Sequence, residues 1–564
     1  MKNQLIKTVT LSILASSIAL GANPSSVPNI GDIERQIKTP NIPQEKQVLP
    51  ELNIKKEYKA PMSDNGKTIL VKNFTFSGNN HISNTTLDAL IKEFKNKELT
   101  FTQITELTSL ITKYYREKGY FVARAYLPTQ DIKNSDNVLE ITIIEGSYGE
   151  FKLNNNSLVK DSVVQGILDN VKKDNVISNS TLERAMLIIN DTSGVKVSSA
   201  DVKPGAVVGT SDFIIATEKT NRIDGYVLAD NTGSRYTGKN RLMSGLNINS
   251  PFNIGDKIAL SGLVSNGTDL RNARVAYSAP LASNGLLGEI SYSQTEYSLE
   301  KEYKSLDAHG TAKTVDANLI YPLIRSSMEN LYLRANVEAR KLEDKIDFAS
   351  INTKKDSKAI TLGTDYNKEY TLGGFNLLSK INFNFKYGNL EFANDADKKD
   401  DELGANTNGD YSKVNLDIVN VIGITNNLTL DTALKMQYAL GNKNLDGSED
   451  FSIGGAYGVK LYPDGELSAE NGYVLNLELK YALPNISKLS NSVGVFYDRG
   501  RVTMADNKKV DFQAKSIQDM GLGYYASYDK LFGQVQVAWN VNSKDITSEP
   551  NRNSRVLFQA GMVF

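Results

Sequence analysis

Leu331-Tyr332-Leu333-Arg334-Ala335-Asn336-Val337-Glu338-Ala339 sets aliphatic residues at every second position, with Tyr332, Arg334, Asn336 and Glu338 between them. A strict period of two belongs to an extended strand whose two faces meet different surroundings. The same alternation returns at Ile381-Asn382-Phe383-Asn384-Phe385-Lys386, at Leu475 to Tyr481 and at Val535 to Trp539. A soluble sandwich also alternates, because its polar face meets water, so the pattern alone does not decide between the two. Here charged and amide residues fill the polar face strand after strand, and turn residues such as Asn284-Gly285 and Asp446-Gly447 punctuate the segments. That combination predicts an all-β transmembrane barrel with lipid outside and water inside. At about 22 residues per strand with its connection, residues 220–564 make roughly 16 antiparallel strands, an even number as single-chain barrels require. The alternation runs to the last residue, the aromatic Phe564, which reads as the carboxyl-terminal signal of the barrel.

The amino terminus points to the same compartment. Lys2 and Lys7 precede an apolar run from Val9 to Leu20, then small residues and Asn23-Pro24, the layout of a secretory signal peptide over residues 1–22. That run is shorter than the ~20 residues of a spanning helix, and no longer one occurs downstream, so entry into a membrane requires a closed barrel. The chain has no cysteine, which removes disulfides, thiol chemistry and structural zinc together. Its two histidines, His81 and His309, lie too far apart in sequence to suggest a metal site or a Ser-His relay. Neither a metal, a cofactor nor a catalytic residue is expected. A net charge of −1 argues against binding nucleic acid.

Between these ends the composition changes twice. Residues 23–66 are rich in Pro, Ser, Asn and Lys and read as a linker unable to build a core. One short segment interrupts it. Asp32 to Lys38 places Ile33 and Ile37 at i, i+4, an amphipathic helix too short to stand alone, which must dock or stay disordered. Residues 67–147 read as strand (Ile69 to Phe76), two helices, then strands Tyr120 to Leu127 and Val138 to Ile144. Ser83 to Thr86 caps the first helix, and Leu107, Leu110, Ile111 and Tyr114 mark the second. Residues 148–219 repeat that order more weakly, from a strand at Tyr148 to Leu153 to another at Phe213 to Thr217. Two small α/β domains in tandem account for this better than one irregular domain.

The motifs resemble a known family, the two-partner secretion transporters of ShlB/FhaC/HecB type, over nearly the whole mature chain. The tandem domains are similar to polypeptide-transport-associated (POTRA) domains, and Asp32 to Lys38 stands where the family has its plug helix. Asp230 to Gly238 with Arg241-Leu242 and Asn249 to Asp256 resembles its opening hairpin, and Tyr321-Pro322-Leu323-Ile324-Arg325-Ser326 one of its strand starts. Ile453 to Glu466, containing Tyr457, Val459, Lys460 and Tyr462, resembles the loop that folds back into the lumen in this superfamily. The resemblance implies an arginine at position 460, paired with an aspartate of the inner wall that matches Asp498. Lysine stands there instead. It keeps the charge without the two-pronged contact, and the alternative is a solvated Lys460 with Asp498 paired to Arg499 or Arg501.

What the resemblance implies is a monomeric outer-membrane translocator with POTRA domains in the periplasm. It would secrete a partner exoprotein through the lumen without nucleotide hydrolysis. Adhesins, cytolysins, contact-dependent toxins and haem-binding proteins are partners of similar transporters, and outer-membrane lipid surrounds the barrel. The rival reading is an assembly factor that inserts other barrels, which shares the POTRA-plus-barrel plan. Either would recognise its client by adding an extended strand to a sheet edge, for which Tyr120 to Leu127 and Tyr148 to Leu153 are the candidates.

Overall fold

The computed structural model describes residues 27–38, 40, 42, 48–54, 66–174, 176–506, 508, 514–541 and 544–564; the signal-peptide reading and much of the linker lie outside them. Among the described residues no helix is long and apolar enough to cross a membrane.

The chain opens with α1 (Ile30–Gln36) and the strand β1 (Leu52–Ile54). The first small unit contains β2 (Thr68–Val71), β3 (Asn73–Ser77), α2 (Asn84–Leu90), β4 (Lys97–Thr100), α3 (Phe101–Glu117), β5 (Arg124–Tyr126) and β6 (Val138–Ile144). The expected single strand from Ile69 to Phe76 breaks at Lys72, whose amide donates to Asn137 O at 2.8 Å. Its first half pairs with β4 and its second with β6. The second unit contains β7 (Ser147–Asn156), α4 (Asp161–Val171), α5 (Asn179–Asp191), β8 (Lys196–Pro204) and β9 (Thr210–Glu218). Its sheet runs β1-β8-β9-β7, because the linker contributes β1, parallel to β8 with Leu52 opposite Ala200. A linker unable to build a core of its own still supplies a strand there, because β8 offers an edge of amides that an extended segment within reach can satisfy. β7 closes the other edge of that sheet; of the expected strand Tyr120 to Leu127 only β5 (Arg124–Tyr126) forms, because residues 121–122 make a turn, and it lies at one edge of the first sheet.

The two units share packing. Phe121, in the turn after α3, is buried among Val164, Leu168, Ile177 and Phe213 of the second unit. The second unit is also tied to the carboxyl-terminal half of the chain. Arg325 grips Asp191 through two hydrogen bonds of 2.7 and 2.8 Å, and Arg184 donates to Pro322 O at 2.6 Å.

From residue 223 the chain forms a closed antiparallel barrel of sixteen strands. They are β10 (Ile223–Asp230), β11 (Arg241–Asn249), β12 (Lys257–Ser265), β13 (Leu270–Pro280), β14 (Leu287–Ser298), β15 (Ala308–Arg325), β16 (Glu329–Ile346) and β17 (Ile351–Leu372). The second half contains β18 (Phe375–Phe392), β19 (Gly409–Gly423) and β20 (Leu428–Ala439). After the short β21 (Phe451–Ser452) and β22 (Ser468–Ala469) of a long loop come β23 (Asn471–Ala482), β24 (Leu489–Thr503), β25 (Lys515–Tyr528), β26 (Leu531–Asn540) and β27 (Ser554–Val563). Val315, Val337, Ile360 and Phe383 point outward, and Asn318 bonds Asn336 on the inside at 2.8 Å. Tyr321 to Ser326 is not a strand start. It ends β15, where proline, having no amide, sits at the register shift between Pro322 and Ile324. β10 and β27 close the wall over five residue pairs, extended by the mutual amide bonds of Gly225 and Phe564.

Removing the Phe121 ring leaves a cavity in the second unit's core. Phe121→Ala is expected to cost that unit about 3 kcal/mol. Chemical denaturation of the full-length protein followed by proteolysis should show earlier cleavage in residues 147–218, with the barrel unaffected.

Candidate functional site

The lumen is filled by two elements, each held by a different chemistry. Asn29 caps α1, its side chain taking the Asp32 amide at 3.1 Å while Asp32 returns the bond to the Asn29 amide. This capping box gives a seven-residue helix a defined start, yet its stability has to come from docking. Ile30 and Ile33 are fully buried against Leu228, Met243, Tyr297 and Leu342 of the barrel wall, with Ile37 half-buried at the edge of the same cluster. Asp344 accepts the Ile30 amide at 2.7 Å, one of the donors the helix start leaves free. At the other end Arg241 donates to Gln36 O at 3.2 Å. Arg241 is itself oriented by two bonds to Asp230, at 3.0 and 3.1 Å. The opening hairpin thus supplies the donor that receives the helix end. Gly31 lies against the second element: a Cβ there would stand 2.5 Å from Ser448 N.

That second element is the segment between β20 and β23, which turns back inside the barrel. Val459 N bonds Ile453 O at 2.8 Å and Tyr462 N bonds Val459 O at 3.2 Å, forming a tight tip. Val459 and Tyr462 are fully buried, while Tyr457 faces the lumen with the ammonium groups of Lys38 and Lys435 over its ring at 5.7 and 5.8 Å. Gly458 is required by space, since a Cβ would meet Ile453 O at 2.4 Å.

Lys460 reaches Asp498 of β24 at 2.8 Å. Asp498 is fully buried and its other oxygen accepts Asn476 Nδ2 at 2.7 Å. With one oxygen already taken, a single-pronged ammonium suits the remaining one. The Phe496 ring lies 4.3 Å from Lys460 Nζ and adds a cation–π contact. Arg499 and Arg501 alternate to the outer face and leave Asp498 to the loop. Three further partners were not legible in sequence. Asp519 of β25 accepts the Leu461 amide at 2.5 Å, Arg555 of β27 donates to Tyr462 O at 2.6 Å, and Asn476 donates to Gly458 O at 2.8 Å. Their only signal is an inward position on a strand.

Two carboxyls between the elements are pushed upward. Burial raises Glu34, opposed by Arg340 and assisted by Glu338 and Glu449. Burial likewise raises Asp450 to about 8, opposed by Arg35 and assisted by Glu470, Asp32 and Asp446. Beneath the loop tip a cavity of about 690 Å³ remains, lined by Lys435, Tyr457, Asn476, Lys480 and Tyr525.

Comparison with known proteins agrees with this architecture. Residues 209–521 match the family described as haemolysin secretion/activation protein ShlB/FhaC/HecB, and residues 69–146 match the POTRA domain of ShlB type. The heme/hemopexin transporter protein HuxB of Haemophilus influenzae is 26% identical over 87% of both chains. The outer membrane transporter CdiB of Escherichia coli is 24% identical over 74% of this chain and 70% of its own. The solved structure of CdiB from Escherichia coli superposes with a TM-score of 0.72 at 19% identity, covering 90% of this chain and 93% of that one. A BamA structure from Haemophilus ducreyi lacking POTRA domains 1-3 gives 0.51 at 15% identity, covering 88% of this chain and all of that one. The chain belongs to the haemolysin secretion/activation family ShlB/FhaC/HecB, the outer-membrane β-barrel transporters of two-partner secretion.

Proposed function

We propose that this chain, as a monomer without catalytic chemistry, captures one partner exoprotein at its POTRA sheets and passes it unfolded through the lumen. The observation that carries the proposal is the filled lumen: a helix on a linker and a loop on two tethers block a path that is otherwise lined with polar side chains. An assembly factor has no need of a stopper at the amino end. The edge strands β5 and β7 can accept a client strand through backbone hydrogen bonds. At β8 the linker strand β1 already holds that position, so a client adding there also pulls on the plug. Lys460 and Asp498, with Tyr457, Val459 and Tyr462 around them, hold the loop in the closed position, and Ile33 and Ile37 hold the plug. Phe564 completes the barrel seam. The relative named a heme/hemopexin transporter makes a haem- or hemopexin-binding exoprotein the first partner to try.

Co-expression with a candidate haem- or hemopexin-binding exoprotein should deliver that protein to the medium, and deletion of residues 67–219 should abolish delivery. Retention of the exoprotein in the periplasm beside the intact chain would overturn the export reading.

In planar bilayers, deletion of residues 23–60 should raise conductance, and Gly31→Leu should do the same by colliding with Ser448. The plugged state binds a proton on Asp450, which burial pushes up to about 8, so its stability falls as pH rises toward that value. Openings should therefore become more frequent from pH 5 to pH 8, and Asp450→Asn should flatten that dependence.

Lys460→Ala leaves Asp498 buried without its cation, a loss of about 3–5 kcal/mol from the closed position of the loop. Cross-linking of the loop tip to β24 should fall sharply, whereas Lys460→Arg, which keeps the charge beside Asp498, should retain most of it.

A further inference from the structure

The loop meets the wall a second time with the charges reversed. Glu449, on the 3-10 turn Gly447–Glu449, is 3% exposed. Its Oε1 accepts Lys386 Nζ of β18 at 2.7 Å and the guanidinium of Arg340 of β16, and its Oε2 lies 2.8 Å from Lys413 Nζ of β19. Lys413 also donates to Glu449 O at 2.7 Å, a carbonyl shared with Gln437 Nε2 at 2.8 Å. Burial pushes Glu449 up, yet Lys413, Lys386 and Arg340 together hold it well below the ordinary carboxylate range.

The charge balance of this basket is uneven between fixed and movable parts. Among the described residues of the wall, Glu338 is the one carboxylate in contact with this group, at 3.2 Å from Arg340 and 2.8 Å from Lys386. The other two carboxylates ride on parts that leave: Glu449 on the loop, and Glu34 on the plug, 3.8 Å from Arg340. When both withdraw, three cations remain against one carboxylate in a confined cavity. Buried cations without counter-charge are costly, so another anion has to enter.

We propose that Arg340, Lys386 and Lys413 form a carboxylate-binding site of the barrel wall, which Glu449 and Glu34 occupy at rest and which acidic side chains of the transiting polypeptide occupy during export. The site replaces each leaving carboxylate with one from the client, which keeps the wall neutral and gives the moving chain a succession of brief holds. The occupancy at rest stands on geometry alone, whereas the client's part rests on the export reading.

Bilayer measurements on the full-length protein separate the two. Under a potassium chloride gradient, Glu449→Gln should open the pore more often and shift the zero-current potential toward anion preference. Adding Lys413→Gln should move it back, and Glu449→Asp should behave as the unaltered chain. Oligoglutamate added on the periplasmic side should block Glu449→Gln channels at about tenfold lower concentration than oligoglutamine, the factor one charge-assisted contact supplies. Lys386→Gln with Lys413→Gln should erase that difference. If Glu449→Gln fails to insert, the chain lacking residues 23–60 must show the same preference for oligoglutamate and the same relief by Lys413→Gln. An unchanged zero-current potential, or equal block by the two peptides, overturns the site. Loss of export with the peptide block intact would count instead against the client's part.

Discussion

A bilayer core contains no water to satisfy backbone amides and carbonyls, so a chain that crosses it in strands has to close on itself. Everything else in this protein depends on that closure. The seam between β10 and β27 rests on only five residue pairs, and the terminal residue contributes its own backbone to finish it. A wall closed in this way encloses water, and an open water channel would leak. Something carried by the same chain occupies the lumen, and the proposed export requires that it be removable.

Removability sets the chemistry of the filling. A stopper held only by apolar contact would be sealed in by the full burial of its surface, while one held only by exposed ion pairs would fall out. Here the plug combines two buried isoleucines with backbone ends received by Asp344 and Arg241, and the loop combines a packed tip with charge pairs at Lys460 and Glu449. Buried pairs of this kind add little net stability, but they fix position strongly, because moving one partner strands the other.

The barrel was legible because period two is a property of sequence: Leu331 to Ala339 shows its outward face without any knowledge of its neighbours. Ile33 and Ile37 were legible from their own i, i+4 spacing, whereas the pairing of Lys460 with Asp498 was implied only by the family resemblance around Tyr457. What escaped depends on register. Nothing near Asp519, Arg555 or Arg340 distinguishes an inward polar residue that meets the loop from one that meets water, since the answer depends on a segment up to 109 residues away. β1 escaped for a different reason. Three residues with no pattern of their own become a strand only because β8 presents an unpaired edge beside them.

That short strand has a kinetic meaning. The chain between Gln36 in the lumen and Leu52 on the second unit's sheet can span at most roughly 55 Å, so on the export reading a plug that leaves remains confined to the neighbourhood of its own pore. A confined ligand acts at an effective concentration in the millimolar range, set by tether length and independent of how many transporters the cell makes. On the export reading the stopper then returns by a first-order process, and the length of a linker helps set how long a pore stays open.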